Sequence, residues 1–449
     1  MKLFEAFNVT RGDVIAFIGA GGKTSTLVSL GHELAEIGWR VLATTTTDIP
    51  EYQLELMPHA MMPSAGSEAI SQALSEDRFV FLYDRIIAGR VYGPSPEWIT
   101  QLLDTIDSDV ILVEADQSGG LPLKAAYQNE PFIPSETSLV IPVVSLSVLG
   151  QPLDEEHVYN VESIIERYGF NRGNRIKSPW IAQVIRDEEL GLRNIPSSPR
   201  VIAFLNQTPL EGYGRARARL IARLALRQSR LHGVAIGASR ATDPIYEIRR
   251  PVGAVVLAAG LSSRMGQSKV LLPWTEKKRI IEHIVEQLIS ARIEHIVVVT
   301  GHMASEVKAL VKPMGVKVIY NRSYKSAEML SSLKIGLHAL PDQVSASLVV
   351  LGDQPRIQPK VIYRLLKAYA EGKGDIVVPS FENQRGHPVL IDRRFWPDIW
   401  GLPRGSAPRM VLDIHKERIH EVAVETDSVI RDIDTPDDYS DERWRAGLK

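Results

Sequence analysis

The chain has 449 residues, and at roughly 150 residues per domain that is length for two or three domains with a sizeable core. Its 52 basic residues against 54 acids give a net charge of −2, so no global field gathers nucleic acid or anionic membrane and charge recognition has to be local. With no cysteine, disulfides, iron–sulfur clusters, thiolate zinc sites and cysteine nucleophiles are excluded together, while 44% apolar and 24% charged residues are globular values. Glu5 and Arg11 interrupt the start before the apolar core of an export signal develops, and the longest apolar runs fall short of the roughly 18 to 20 residues of a spanning helix. The expectation is a cytoplasmic protein with neither membrane nor nucleic acid as partner.

Two segments, 13–25 and 253–266, read as a buried strand, a glycine-rich turn and a helix start. After the first turn, Leu27, Leu30, Leu34 and Ile37 recur at helical spacing, and Gly38 ends the helix. Strands are predicted at 40–44, 110–114, 138–144 and 201–205. In the second half they are predicted at 254–257, 295–300, 316–320, 347–351, 375–378 and 419–424, with helices near 279–291, 327–339, 359–370 and 407–416. Strands alternating with helices imply mainly parallel sheets, hence an α/β fold of two doubly wound domains, 1–245 and 250–449. The segment 241–251, with two prolines and mixed charge, reads as the linker.

Gly19-Ala-Gly-Gly-Lys-Thr-Ser25 places small residues where a strand turns into a helix. Backbone N–H groups at Gly19, Gly21 and Gly22 can curl round a phosphate, Lys23 supplies a cation, and Thr24 or Ser25 can ligate magnesium. Phe17 stands where the strict Walker spacing demands glycine, so this is a shortened variant of that motif; a tight turn with a solvated lysine is the alternative. Val110-Ile-Leu-Val-Glu114-Ala-Asp116 ends in carboxylates on the same sheet edge, where Glu114 or Asp116 can hold magnesium or orient an attacking group. The Thr44–Thr47 run closes a neighbouring strand. Asn206-Gln-Thr-Pro209 sits where some NTPases read guanine, but lacks the acid, which leaves the base open.

These pieces, with Leu121-Pro-Leu-Lys-Ala125 and Glu130-Pro-Phe-Ile-Pro134, resemble the YqeC accessory family of selenium-dependent molybdenum hydroxylases over most of 1–245. The resemblance implies a P-loop-like NTPase domain that binds ATP or GTP and takes part in cofactor maturation. Gln117-Ser-Gly119 departs from the family's Gly-Ser-Arg, and Tyr159-Asn160 from its His-Arg pair.

The second turn, Leu257-Ala258-Ala259-Gly260-Leu-Ser-Ser-Arg264-Met-Gly266-Gln-Ser-Lys269, is more basic. Small residues allow close approach to a triphosphate, and Arg264 and Lys269 bring two cations to a leaving pyrophosphate. Such chemistry also needs a hard metal on carboxylate oxygen. Asp353, in Leu351-Gly-Asp-Gln-Pro355, and Asp434, in Asp432-Ile-Asp-Thr-Pro436, are the candidates, although each alone reads equally as a turn starter.

With Arg385-Gly-His-Pro-Val-Leu390, these segments look like the nucleotidyltransferase family that includes molybdenum cofactor cytidylyltransferases, across 252–440. The resemblance implies a Rossmann-like domain in which Arg264 and Lys269 bind and activate CTP, Asp353 and Asp434 hold Mg2+, Ser331 and Ser332 lie near ribose and base, and His387 lies near the cleft. Glu328-Met-Leu-Ser-Ser-Leu333 departs from the family's glycine start, and Pro403-Arg-Gly-Ser-Ala-Pro-Arg409 replaces a turn of the pterin pocket, where Arg404 and Arg409 read as a clasp for an anionic substrate or as solvated surface. The expectation is a cytidylyltransferase acting on molybdopterin, fused to a nucleotide-binding domain that serves a molybdenum hydroxylase apoenzyme or its chaperone. A sugar- or alcohol-phosphate nucleotidyltransferase and a non-catalytic nucleotide-binding scaffold are the alternatives. The arginine stripe Arg215, Arg219, Arg223 and Arg227 reads as a solvated helix face, and the 11 histidines show no zinc-ligand spacing.

Overall fold

A computed structural model of the chain describes residues 1–260, 265–326 and 329–448. It divides into two compact units, Met1–Arg249 and Arg250–Lys449. No helix among the described residues is long and apolar enough to cross a membrane.

The first unit is built on a nine-stranded sheet in the order Ile245–Arg249, Gly233–Gly237, Arg200–Asn206, Leu139–Ser145, Val14–Gly19, Val110–Glu114, Val41–Thr45, Phe79–Leu82 and Ala60–Met61. Every neighbouring pair is parallel except the first. Central strands of such a sheet are covered on both faces, which is why Val14–Gly19 is apolar throughout. Its period-2 alternation sends Val14, Ala16 and Ile18 into one core and Ile15 and Phe17 into the other. Helix Lys23–Glu36 lies on the second face through Leu27, Leu30 and Leu34, each fully buried and each contributing about 2 kcal/mol by area. Gly31 sits in this helix because a Cβ there would lie 2.3 Å from the ring of Phe79.

The second unit carries an eight-stranded mixed sheet in the order Lys317–Tyr320, His295–Thr300, Val252–Ala258, Ala346–Leu351, Val389–Asp392, Ile376–Phe381 and Gln384–Arg385, with Ile419–Ala423 paired to Ile376–Phe381. Val389–Asp392 runs antiparallel to both its neighbours. Ala254, Val256 and Ala258 face one core and Val255 the other.

The differences from the sequence reading have local causes. Phe79–Leu82 is a run of four apolar residues and Val389–Asp392 one of three that ends in Asp392, both too short for periodicity to distinguish from loop. The segment read as a linker instead contains the strand Ile245–Arg249, which closes the first sheet by antiparallel pairing with Gly233–Gly237. In it Ile245 and Ile248 enter the core and Glu247 is fully buried. Nor is the arginine stripe wholly solvated. Arg215 and Arg219 donate to Glu247 Oε1 at 2.9 and 2.7 Å, and Arg249 Nε donates to its Oε2 at 2.8 Å, whereas Arg223 and Arg227 are exposed. The acid-rich end of the chain forms the helix Pro436–Arg445, capped by Thr435 and Asp438 accepting reciprocally from backbone N–H groups.

Burial pushes the Glu247 carboxyl up, but Arg249, Arg215 and Arg219 outweigh it and hold the pKa below the usual 4.5. A native value below the unfolded one means stability that is present above about pH 4.5 and lost as pH falls toward the native value. Glu247→Gln is therefore expected to destabilise the first unit by about 3 kcal/mol at pH 7, with the gap from the parent chain closing below about pH 4. Hydrogen exchange of Gly233–Gly237 across that range measures it.

Candidate functional site

At the carboxyl edge of the first sheet, strand Val14–Gly19 enters Gly19–Gly22 and helix Lys23–Glu36 begins at once. The turn needs its glycines: Gly21 has φ +81°, and a Cβ on it would lie 2.4 Å from the Ser145 nitrogen. Asn206, considered from sequence as a base reader, is buried and braces the turn, donating from Nδ2 to the Gly21 carbonyl at 3.0 Å and accepting from Ser239 N at 2.9 Å. Ser25 accepts from Arg240 at 2.9 Å.

Lys23, with a side chain 2% exposed, is folded back on its own loop. Its Nζ donates to the Gly19 carbonyl at 2.9 Å and to Ser118 Oγ at 3.0 Å, and lies 3.1 Å from Asp116 Oδ1 and 3.7 Å from Glu114 Oε1. Asp116 Oδ2 accepts from Gly19 N at 2.8 Å and pairs with Lys124 Nζ at 3.2 Å; Thr24 Oγ1 donates to Glu114 Oε2 at 2.7 Å. Burial raises the Glu114 pKa against the opposing pull of Lys23 and Thr24. The fold thus gathers Gly19, Gly21, Gly22, Lys23, Thr24, Glu114 and Asp116 in one place. Ser118 and Lys124 complete the cluster; sequence reasoning missed both, because their part in it is a tertiary contact across a loop.

In the second unit the strand Val252–Ala258 delivers Leu257, Ala258 and Ala259 to the carboxyl edge, with Gly260 exposed and open space around it. Arg264 and Glu328 lie outside the described residues. After Gly266, a turn at φ +67°, Lys269 opens a short 3-10 segment. Its Nζ donates to Asp434 Oδ1 at 2.6 Å and lies 3.5 Å from Asp353 Oδ2, so both carboxylates approach one cation. The loops are tied together by Ile433 N donating to the Asp353 carbonyl at 3.0 Å and by Gln354 Nε2 donating to Asp432 Oδ1 at 2.7 Å. Burial first, and Asp432 second, raise the Asp353 pKa against the pull of Lys269. Among the described residues no group of three or more His, Asp or Glu is arranged to hold a metal.

His387 is half-buried, its backbone N–H donates to the Val429 carbonyl at 2.8 Å, and burial lowers its pKa although Asp432 pulls the other way. Arg404 and Arg409 are exposed, the latter opening the short helix Arg409–Ile414, whose Val411 is buried in one cluster with Trp396. Ser331 and Ser332, on helix Met329–His338, accept from Asn321 Nδ2 at 2.9 and 3.0 Å. Asn321 is fully buried, and its backbone N–H donates to the Thr300 carbonyl at 2.8 Å. Nothing in its local sequence marks it, since its partners lie ten and eleven residues on. Asn321→Ala is expected to cost about 1–3 kcal/mol of stability, because the backbone and both serines lose their brace. Chemical denaturation measures it.

Comparison with known proteins matches residues 15–162 to the YqeC protein family and residues 254–421 to the MobA-like NTP transferase domain. The chain is 33% identical over 202 residues to the uncharacterized protein YqeC of Escherichia coli (strain K12), covering 44% of this chain and 77% of that protein. It is 27% identical over 189 residues to the molybdenum cofactor cytidylyltransferase of the same organism, covering 42% of this chain and 93% of that protein. Among solved structures, a nucleotidyl transferase from Methanothermobacter thermautotroptrophicus is 26% identical and covers 43% of this chain and 98% of that one, with a TM-score of 0.37.

Proposed function

Because the chain belongs to the YqeC family and joins to that unit a MobA-like nucleotidyltransferase domain, we propose that its second unit transfers CMP from CTP to the phosphate of molybdopterin. The products are molybdopterin cytosine dinucleotide and pyrophosphate. The reading rests on one observation: Lys269, in the segment that follows strand Val252–Ala258, stands between Asp353 and Asp434.

In this reaction an acceptor phosphate oxygen bonds to the α-phosphorus while the bond to the bridging oxygen of pyrophosphate breaks, and negative charge gathers on the leaving group. A fixed cation near that charge lowers the barrier. Lys269 fills this role, with Arg264 as its second member. The strand end at Leu257, Ala258, Ala259 and Gly260 lets backbone approach the triphosphate, Gly266 turns the chain back toward it, and Ser331 and Ser332, held by Asn321, line the side of ribose and base. His387, Arg404 and Arg409 serve the acceptor.

Asp353 and Asp434 fit magnesium, a hard cation that takes one or two carboxylates together with substrate phosphates. Their oxygens already approach a single cation, the Lys269 ammonium. When bound, the metal screens the phosphates and polarises the α-phosphorus.

The first unit, in this reading, binds ATP or GTP at its glycine turn and assists loading of the dinucleotide cofactor into a molybdenum hydroxylase apoenzyme or its chaperone, with selenium-dependent hydroxylases as the clients. A phosphate entering the turn draws Lys23 away from Asp116, so binding is an exchange of one anion for another.

Pyrophosphate release by the purified chain with magnesium and molybdopterin, with CTP, GTP and ATP in turn, tests the assignment. Release with CTP is expected; release with sugar phosphates alone would replace the acceptor, and no release with any acceptor would replace the reading by a binding role. Asp353→Asn is expected to lower turnover by about a hundredfold or more while the far-ultraviolet circular dichroism is unchanged. Lys23→Ala is expected to abolish nucleotide binding by the first unit and to leave pyrophosphate release within about twofold of the parent chain. Equilibrium dialysis and the release assay measure the two separately.

A further inference from the structure

One cleft in the first unit is left unused by the chemistry above. It lies beyond the carboxyl ends of Val41–Thr45 and Val110–Glu114, encloses about 620 Å3, and so falls within the size range of small-molecule sites.

Its lining combines aromatic rings and carboxylates with the polar side chains of Arg85, Gln117, Thr46, Thr47 and Ser95. Tyr92, Trp98 and Phe132 contribute aromatic rings, and Phe132 is 44% exposed. Asp48, Asp84 and Glu130 contribute carboxylates. Each carboxylate is held in place by a neighbouring donor, and two of these donors, Gln117 and Arg85, also line the cleft. Asp48 accepts from Gln117 Nε2 and Arg90 Nε, Glu130 from Lys124 Nζ at 2.5 Å, and Asp84 from Arg85 at 2.5 Å, with the Arg85 guanidinium 5.2 Å from the ring centre of Tyr92. An ionised carboxylate has about four lone-pair sites, so these bonds orient the groups without using up their capacity to accept.

Fixed acceptors beside aromatic rings select a flat ligand rich in N–H donors. The aromatic rings offer stacking to any planar heterocycle, which is not selective. Selection comes from the carboxylates. A carboxylate accepts two parallel hydrogen bonds from a ring N–H and an adjacent exocyclic amino group, and this donor pair is what the 2-amino-4-oxopyrimidine edge presents. Cytosine and adenine place an acceptor nitrogen beside their amino group, and 2,4-dioxo rings flank their N–H with carbonyls, so neither can make the pair.

We propose that this cleft binds a planar fused heterocycle through its 2-amino-4-oxopyrimidine edge, the edge shared by guanine and by pterins. The cleft also communicates with the glycine turn through a short charge chain. Glu130 pairs with Lys124, Lys124 with Asp116 at 3.2 Å, and Asp116 with Lys23 at 3.1 Å. The proposal rests on the first unit's own lining and does not depend on which acceptor the second unit uses.

Fluorescence titration of the full chain with neopterin and with guanosine tests it; neither ligand has a phosphate, so neither draws on the glycine turn. The 2-oxo analogue of neopterin, and inosine, which lack the 2-amino group and keep the rest of each ligand, are the matched controls. Binding of neopterin or guanosine at least about tenfold tighter than its control is expected, a difference of about 1.4 kcal/mol, and the tighter of the two identifies the source as pterin or guanine. Asp84→Asn and Phe132→Ala, both at exposed side chains whose loss spares the core, are each expected to weaken binding by about tenfold. Equal binding of the amino and amino-free ligands, affinity unchanged in both variants, or no saturation up to millimolar ligand would each overturn it.

Discussion

An ammonium group sealed from water must be matched by an anion and filled with acceptors, or its burial costs several kcal/mol. Lys23 meets that constraint with Asp116, the Gly19 carbonyl and Ser118. The same carboxylate accepts from Gly19 N and pairs with Lys124, so one aspartate ties the end of strand Val14–Gly19, the start of helix Lys23–Glu36 and the segment that follows Val110–Glu114. Much of the geometry at that sheet edge follows from where this pair sits. A charge already neutralised inside the protein also changes what anion binding means: the incoming group competes with a carboxylate rather than capturing a naked cation.

The second unit solves the same problem in wetter surroundings. Lys269 is 13% exposed, and its partners Asp353 and Asp434 are 31% and 48% exposed. Water shares the solvation of all three, so exchange of partners costs less there than at Lys23. A closed cluster suits retention of a ligand, and an open one suits turnover, which matches a nucleotidyltransferase in the second unit.

How far the sequence was legible depends on where the information lay. The two glycine turns and the strands that feed them were readable because fully buried parallel strands are long apolar runs and because their turns concentrate small residues and cations. Lys269, Asp353 and Asp434 were readable as candidates for one cluster although they lie far apart in the chain, since each sits beside its own recognisable turn. Asn206, Asn321, Ser118 and Lys124 were not, at least in their actual roles. Their side chains act as braces, and the groups they brace come from other loops. The edge strand Ile245–Arg249 was hidden for a different reason: prolines and charges flank it, and its one buried acid looks like a surface residue until Arg215, Arg219 and Arg249 are seen around it.

That edge strand bears on how the two units can be separated. A cut at residue 245, where composition suggests a linker, would remove Glu247 from Arg215 and Arg219 and leave the apolar strand Gly233–Gly237 with a row of unpaired N–H and C=O groups. Unprotected edges of that sort template pairing with another chain. The resulting fragment would self-associate, and its loss of function would mimic dependence on the missing half. Arg250 and Pro251 are the residues between the two sheets, so the seam available for clean dissection is two residues wide.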